Sequence, residues 1–270
     1  MTSGRPGTVA ALVGALALTV LTAPPAQAAA TGITVSDIVI NGGRPVVVGT
    51  TQVKEPALSF RISLPAGYST ADPFRYDAHP FLYHDTTPAK GADNGGIYVG
   101  GYTCYEQSAR TARCEGNLYI DPPYRLDSGN DATTWKIGVV KRLWKADGGL
   151  KAEEYNTAPG GVRVQRAAKV TVNASPGPVT KGRALTVTGG LTRADRVKHK
   201  YTGYGSQSVE LRFRKADSSA CTTVKKVKTS STGALKTTVT ASADGYRRFV
   251  FGGTTTTGTA TATGDFVDVR

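Results

Sequence analysis

The sequence has almost no helical periodicity, so helix bundles and doubly wound α/β folds are excluded. Histidine and cysteine are scarce, with 3 of each in 270 residues. Neither Gly-x-Ser-x-Gly nor His-Glu-x-x-His occurs, and no cysteine pairs with a histidine as a plausible nucleophile. Scattered Asp and Glu leave a glycosidase-like carboxylate pair open, but nothing in the sequence assembles one. No enzymatic activity and no cofactor are therefore expected. After the N-terminal apolar run there is no second hydrophobic segment, so no membrane span is expected. No Leu-Pro-x-Thr-Gly signal occurs and no cysteine follows that run, which argues against covalent wall anchoring and lipidation.

The N-terminus carries an address. Arg5 precedes an apolar run from Val9 to Leu21, and Ala26-Gln27-Ala28 fits a small-x-small cleavage site. Residues 1–28 read as a secretory signal peptide, with the apolar run shorter than a bilayer span. The expected location is secreted and extracellular, in association with the cell wall. Charge then divides the rest. Residues 29–168 hold 15 Lys+Arg against 14 Asp+Glu, whereas residues 169–270 hold 17 against 6. That asymmetry places a domain boundary between the two stretches and points to an anionic partner for the second. Export permits disulfides. Cys104 and Cys114 are expected to bridge, with two separate buried thiols as the alternative. Cys221, in the other half, is expected to be unpaired or buried.

Strand signals recur every 8–12 residues between Gly, Pro, Asn, Asp and Ser clusters. In the first half Leu58, Phe60, Ile62 and Leu64 alternate with Ser59, Arg61 and Ser63, and Trp135, Ile137 and Val139 alternate likewise. Lys145 to Tyr155 is polar and reads as a loop or a single helical turn. In the second half Val209, Leu211 and Phe213 alternate with Glu210, Arg212 and Arg214, the cleanest strand in the chain. The Thr-rich stretch 254–263 reads as a loop feeding the last strand. Residues 241–252 (Ala-Ser-Ala-Asp-Gly-Tyr-Arg-Arg-Phe-Val-Phe-Gly) look like the entry to the penultimate strand of an immunoglobulin-like sandwich. Tyr246 suggests a tyrosine corner, but with Phe249 and Phe251 inward the period of two puts Arg247 on their face. Either Arg247 lies at the sandwich rim or a bulge resets the register. The fold expected is all-β, two tandem immunoglobulin-like β-sandwiches over 29–168 and 169–270. The join near Arg166-Ala167-Ala168 has no Gly or Pro run, so a fairly fixed interdomain angle is expected.

Residues 174–194, 201–204 (Tyr-Thr-Gly-Tyr), 209–214 (Val-Glu-Leu-Arg-Phe-Arg), 243–246 (Ala-Asp-Gly-Tyr) and 264–269 (Gly-Asp-Phe-Val-Asp-Val) carry a resemblance. Together they resemble secreted actinobacterial proteins with a C-terminal immunoglobulin-like domain, mostly uncharacterised, some labelled calcium-binding. The resemblance is specific over about 169–270 and weaker over 29–168. It implies a fold and an address, and it transfers no catalytic residue. Related sandwiches often have Trp directly before Arg at this strand start, where this chain has Arg247 before Arg248. The inner packing there is expected to differ.

Candidate binding residues follow from chemistry. Arg212, Arg214, Lys225, Lys226, Lys228, Arg247 and Arg248 are the polyanion-binding candidates, for an anionic cell-wall polymer or glycan, with a solvated outer face as the bland reading. Nucleic acid is not expected, because the interleaved aromatics of a single-strand binder are missing. Tyr83, Tyr98 and Tyr102 are glycan-stacking candidates, with strand-face packing as the alternative. No metal site is expected. Asp127 and Asp131, in an oxygen-rich run, are the weak calcium candidates but read more readily as a turn. His79 and His84 have no known ligand spacing. The reading of function is a non-enzymatic binding or structural protein. The alternatives are a carbohydrate-binding accessory module or secreted hydrolase, and a calcium-stabilised structural module.

Overall fold

The computed structural model describes residues 30–84, 86–93 and 95–270. The signal peptide expected over 1–28 lies outside the described residues. The first run of strands is β1 (Thr34–Ile40), β2 (Val46–Val48), β3 (Ala57–Ser63), β4 (Tyr76–Tyr83), β5 (Val99–Ser108), β6 (Thr111–Leu118), β7 (Thr134–Trp144) and β8 (Leu150–Arg166). They form two sheets, ordered β1-β3-β6-β5 and β2-β8-β7-β4. Only the β2–β8 contact is parallel. The alternation of β3 buries Leu58, Phe60 and Ile62 against Trp135, Leu143 and Val164 of the facing sheet. This is the Greek-key order of an immunoglobulin-like sandwich.

A second run follows after Ala167: β9 (Ala168–Val170), β10 (Asn173–Ser175), β11 (Ala184–Asp195), β12 (Lys200–Gly203), β13 (Ser208–Lys215), β14 (Cys221–Lys228), β15 (Ala234–Thr240), β16 (Gly245–Phe251), β17 (Ala260–Thr261) and β18 (Asp265–Val267). Here β11 pairs with β9, β10, β12 and β15, and the other sheet runs β14-β13-β16 with β17 and β18 on β16. Leu185, Val187 and Leu235 pack against Val209, Leu211, Phe249 and Phe251 between the two sheets. The chain is thus all-β, with two immunoglobulin-like sandwiches in tandem.

One detail departs from expectation, and others follow it or settle it. Lys145 to Tyr155 is mostly strand: β8 continues the β7 hairpin outward, and Leu150 to Tyr155 pair with Val140 to Trp144. From Leu150 to Tyr155 only Ala152 is buried, and Glu153 and Glu154 face Arg142 and Lys141, so this stretch carries little amphipathic signal of its own. The disulfide forms, but within one sheet: Cys104 of β5 lies directly opposite Cys114 of β6, with Cα atoms 4.0 Å apart. Trp135 is buried on β7 and donates its indole N–H to the Asp131 carbonyl at 2.9 Å. The register question at Tyr246 resolves without a bulge, since β13 and β16 pair continuously from Glu210↔Val250 to Lys215↔Gly245. Arg247 therefore turns inward with Phe249 and Phe251, and Tyr246 faces out.

The sandwiches are joined by more than the chain. Arg166 accepts from Gly258 N–H at 2.9 Å and donates its own N–H to the Thr256 carbonyl at 3.0 Å. Gln165 Nε2 donates to the Thr254 carbonyl at 2.8 Å. The Thr-rich stretch is the source of this clasp. A Cβ at Gly258 would lie 2.8 Å from Val47 Cγ1, so glycine lets the loop approach the first sandwich.

Candidate functional site

The outer face of the β14-β13-β16 sheet gathers most of the expected cations. With Val209, Leu211, Phe249 and Phe251 committed to the core, period two sends Glu210, Arg212, Arg214, Tyr246, Arg248 and Val250 outward. The register sets Arg212 opposite Arg248 and Arg214 opposite Tyr246. Across the other edge, Lys226 opposes Glu210 and Lys228 opposes Ser208. Glu210 is the sole acidic residue in the sequence of these three strands. It accepts from Arg212 Nε and Nη2 at 2.9 and 2.8 Å and from Thr223 at 3.2 Å. The Arg212 hydrogen bond, then that of Thr223, holds its carboxyl below the ordinary range.

Among the described residues, Arg214, Lys226, Lys228 and Arg248 have no carboxylate within ion-pair distance. The Arg214 guanidinium lies 4.2 Å from the Tyr246 ring centroid and donates to the Ser218 carbonyl at 2.9 Å. Tyr246 in turn packs on Phe266 at 5.2 Å. Arg248 Nε is buried without a hydrogen-bond partner. Like charges set directly across a strand pair oppose folding. The Arg212–Arg248 pair, with one carboxylate on one side of it, is therefore a place where an added anion would relieve repulsion.

Two of the expected cations do not join this face. Arg247 is 3% exposed, with its guanidinium 4.6 Å from the Phe213 ring centroid. Burial lowers its pKa, and no anion can reach it from the outer face. Lys225 opposes Leu211, so it is exposed at the sheet edge on the opposite side. Arg212, Arg214, Lys226, Lys228 and Arg248 remain together. Tyr246 and Phe266 were missed as members. Period two alone puts Tyr246 on the outer side, but Phe266 joins it through β16–β18 pairing, which no local pattern announces.

The tyrosine candidates are committed to packing. Tyr83 is buried, and its hydroxyl and that of Thr157 are 2.5 Å apart. Tyr98 stacks on Phe81 at 5.4 Å and donates to the Ala92 carbonyl. These rings fill a small outer core under α1 (Pro88–Asp93), beside Val140. Tyr102 meets Phe60 edge-on at 5.4 Å and donates to Asp77 at 3.1 Å; burial, then Asp77, raises its pKa strongly. Tyr83 is buried, and Tyr98 and Tyr102 are half-buried, each with a ring contact and a hydroxyl partner. Asp131 is also engaged: its carboxylate accepts from Ser128 N–H at 2.7 Å and lies 3.2 Å from His84 Nε2. Asp127 does not join it, and among the described residues no group of three His, Cys, Asp or Glu side chains is placed to hold a metal ion. His79 Nδ1 lies 2.9 Å from Asp77, well apart from that set. Cys221 is a free, half-buried thiol at the start of β14.

No family model and no curated protein matches the chain. Among solved structures it is similar to a marsupial T cell receptor, at 12% identity and TM-score 0.37, over 88% of this chain and 73% of that one. It is also similar to the Escherichia coli adhesin FdeC, at 12% identity and TM-score 0.31, over 90% of this chain and 66% of that one. The ectodomain of mouse nectin-like molecule 4 gives 13% identity and TM-score 0.25, over 87% and 64%. These likenesses are too low to carry any inference about function; the fold rests on the strand order described above.

Proposed function

We propose that this is a secreted, non-enzymatic binding protein that holds an anionic cell-wall polymer or glycan against the outer face of β14, β13 and β16. The observation that carries the reading is the Arg212–Arg248 pair, flanked by Arg214, Lys226 and Lys228 and countered by Glu210 alone on these strands. Alternate residues along a strand are about 6.6–6.8 Å apart and neighbouring strands about 4.8 Å apart. Such a grid suits a repeating polyanion and provides no apparatus for chemistry. The Cys104–Cys114 bridge fits an oxidising compartment. Among the described residues no helix is long and apolar enough to cross a membrane.

Fractionation of a producing culture into medium, wall and membrane, followed by stepwise salt elution of the wall, tests the reading. The protein should leave the wall by about 0.5 M salt, where the Debye length falls to about 4 Å. Arg212→Glu with Arg248→Glu should release it at low salt. Removing the two cations should also lower the slope of log K against log salt by about two. Retention of the double variant at high salt would sink the idea.

A further inference from the structure

A polar cleft of about 430 Å³ lies where the two sandwiches meet, remote from the outer basic face. Thr50, Thr51, Gln52 and Lys54 of the β2–β3 loop line one side, and Lys169 and Tyr201 of the second sandwich line the other. The lining contains no carboxylate. Lys169 Nζ sits 4.0 Å from the Tyr201 ring centroid, so that ring face already carries a cation. Behind the wall is Arg196, 2% exposed, which donates to the carbonyls of Gly49 and Gln165. Its Nε has no partner, nor does the buried Nε of Arg166. Asp131 and Asp195 are the nearby acidic groups; Ser128 and His84 already occupy the first, and Lys198 and Thr202 the second. Burial, then the charge of Arg166, draws the Arg196 pKa down to about 10. One buried guanidinium, that of Arg196, thus stands at the junction beside the half-buried Arg166 and without an ion pair, an arrangement that costs stability. An anion in the cleft would offset that cost.

We propose that this cleft binds a small polyhydroxylated anion, a sugar acid or sugar phosphate, its anionic group between Lys54 and Lys169 and its hydroxyls toward Thr50, Thr51 and Gln52. The occupant touches both sandwiches at once. Binding here does not depend on the outer face, so the two ideas fail separately.

Titration calorimetry of the purified protein with glucuronate, glucose 6-phosphate, glucose and inorganic phosphate tests it. At least one of the two sugar anions should bind, and tighter binding of glucuronate or of glucose 6-phosphate identifies the anionic group. Lys169→Gln should weaken that binding by about tenfold or more. Arg212→Glu with Arg248→Glu should leave it unchanged. Thr50→Val is a second, milder variant, expected to weaken the sugar anion but not inorganic phosphate. Glucose binding as tightly as glucuronate, inorganic phosphate matching glucose 6-phosphate, or neither sugar anion binding would each overturn the proposal.

Discussion

In the first sandwich, cations meet carboxylates. Arg142 contacts Glu153 at 2.6 Å and Asp77 at 3.3 Å, Lys141 contacts Glu154 at 3.2 Å, and Arg113 contacts Glu115 at 2.9 Å. In the second, beside the Arg212–Glu210 and Arg270–Asp268 pairs, cations lie on rings: Arg193 on Tyr204 at 4.0 Å, Arg214 on Tyr246 at 4.2 Å and Arg247 on Phe213 at 4.6 Å. The corresponding distances in the first sandwich are 5.2–5.9 Å. A carboxylate cancels the charge it orients, whereas an aromatic face orients a guanidinium and leaves its charge intact. With 17 basic residues against 6 acidic ones, the second stretch has too few carboxylates to do otherwise. Charge is an internal brace in one sandwich and an outward field in the other.

The sharpest way to break this comparison is through the cores. Trp135→Ala and Phe249→Ala should each cost about 3–5 kcal/mol. Hydrogen exchange read by mass spectrometry should place each loss mainly in its own sandwich. If Phe249→Ala deprotects β3 and β7 as much as β13, the two sandwiches are one cooperative unit and the contrast dissolves. Next is the bridge that only the first sandwich has. Cys104→Ser with Cys114→Ser should cost about 2–3 kcal/mol there. Cys221→Ser should stay within about 0.5 kcal/mol, as measured by urea midpoints.

Acid should produce the smallest effect, again on the first sandwich. Burial alone would raise the Asp77 pKa, but the His79 hydrogen bond and charge, with Tyr102 and Arg142, outweigh it and hold it below the ordinary value. Glu154 is held low in the same way, against burial, by Thr31 and Lys141. A carboxyl depressed in the folded state stabilises above its unfolded pKa of about 4, and that contribution is lost as pH falls below it. Urea midpoints at pH 7 and pH 3 should differ less for Asp77→Asn than for the parent. An unchanged difference would mean that the network does not brace the fold.

What the sequence made legible follows from period two. The buried face of β3 could be read from Leu58, Phe60 and Ile62, and the outward set of β13 from Glu210, Arg212 and Arg214. The cross-strand pairing of Arg212 with Arg248 could not, because it is set by which strands become neighbours. Period two already puts Arg247 on the face of Phe249 and Phe251, but only the unbroken register of β16 shows it buried there, which removes it from the polyanion candidates. Arg196 opens the turn after β11, and there nothing local distinguishes a solvated arginine from one closed off by another sandwich. The outer part of β8 was hidden for a different reason. Its apolar partners, Val140 and Leu143, lie on β7, while its own residues are mostly polar and pair with Lys141 and Arg142 across the strands.

The Thr254–Gly258 clasp has a consequence for the order of assembly. Its contacts join residues 165–166 to residues 254–258, with nearly all of the second sandwich between them. A chain made from its N-terminus can complete the first core while the residues of the clasp are still unsynthesised. The Arg196 contacts to Gly49 and Gln165 can form earlier, but the clasp adds its hold on the angle between the sandwiches only once residues 254–258 are in place.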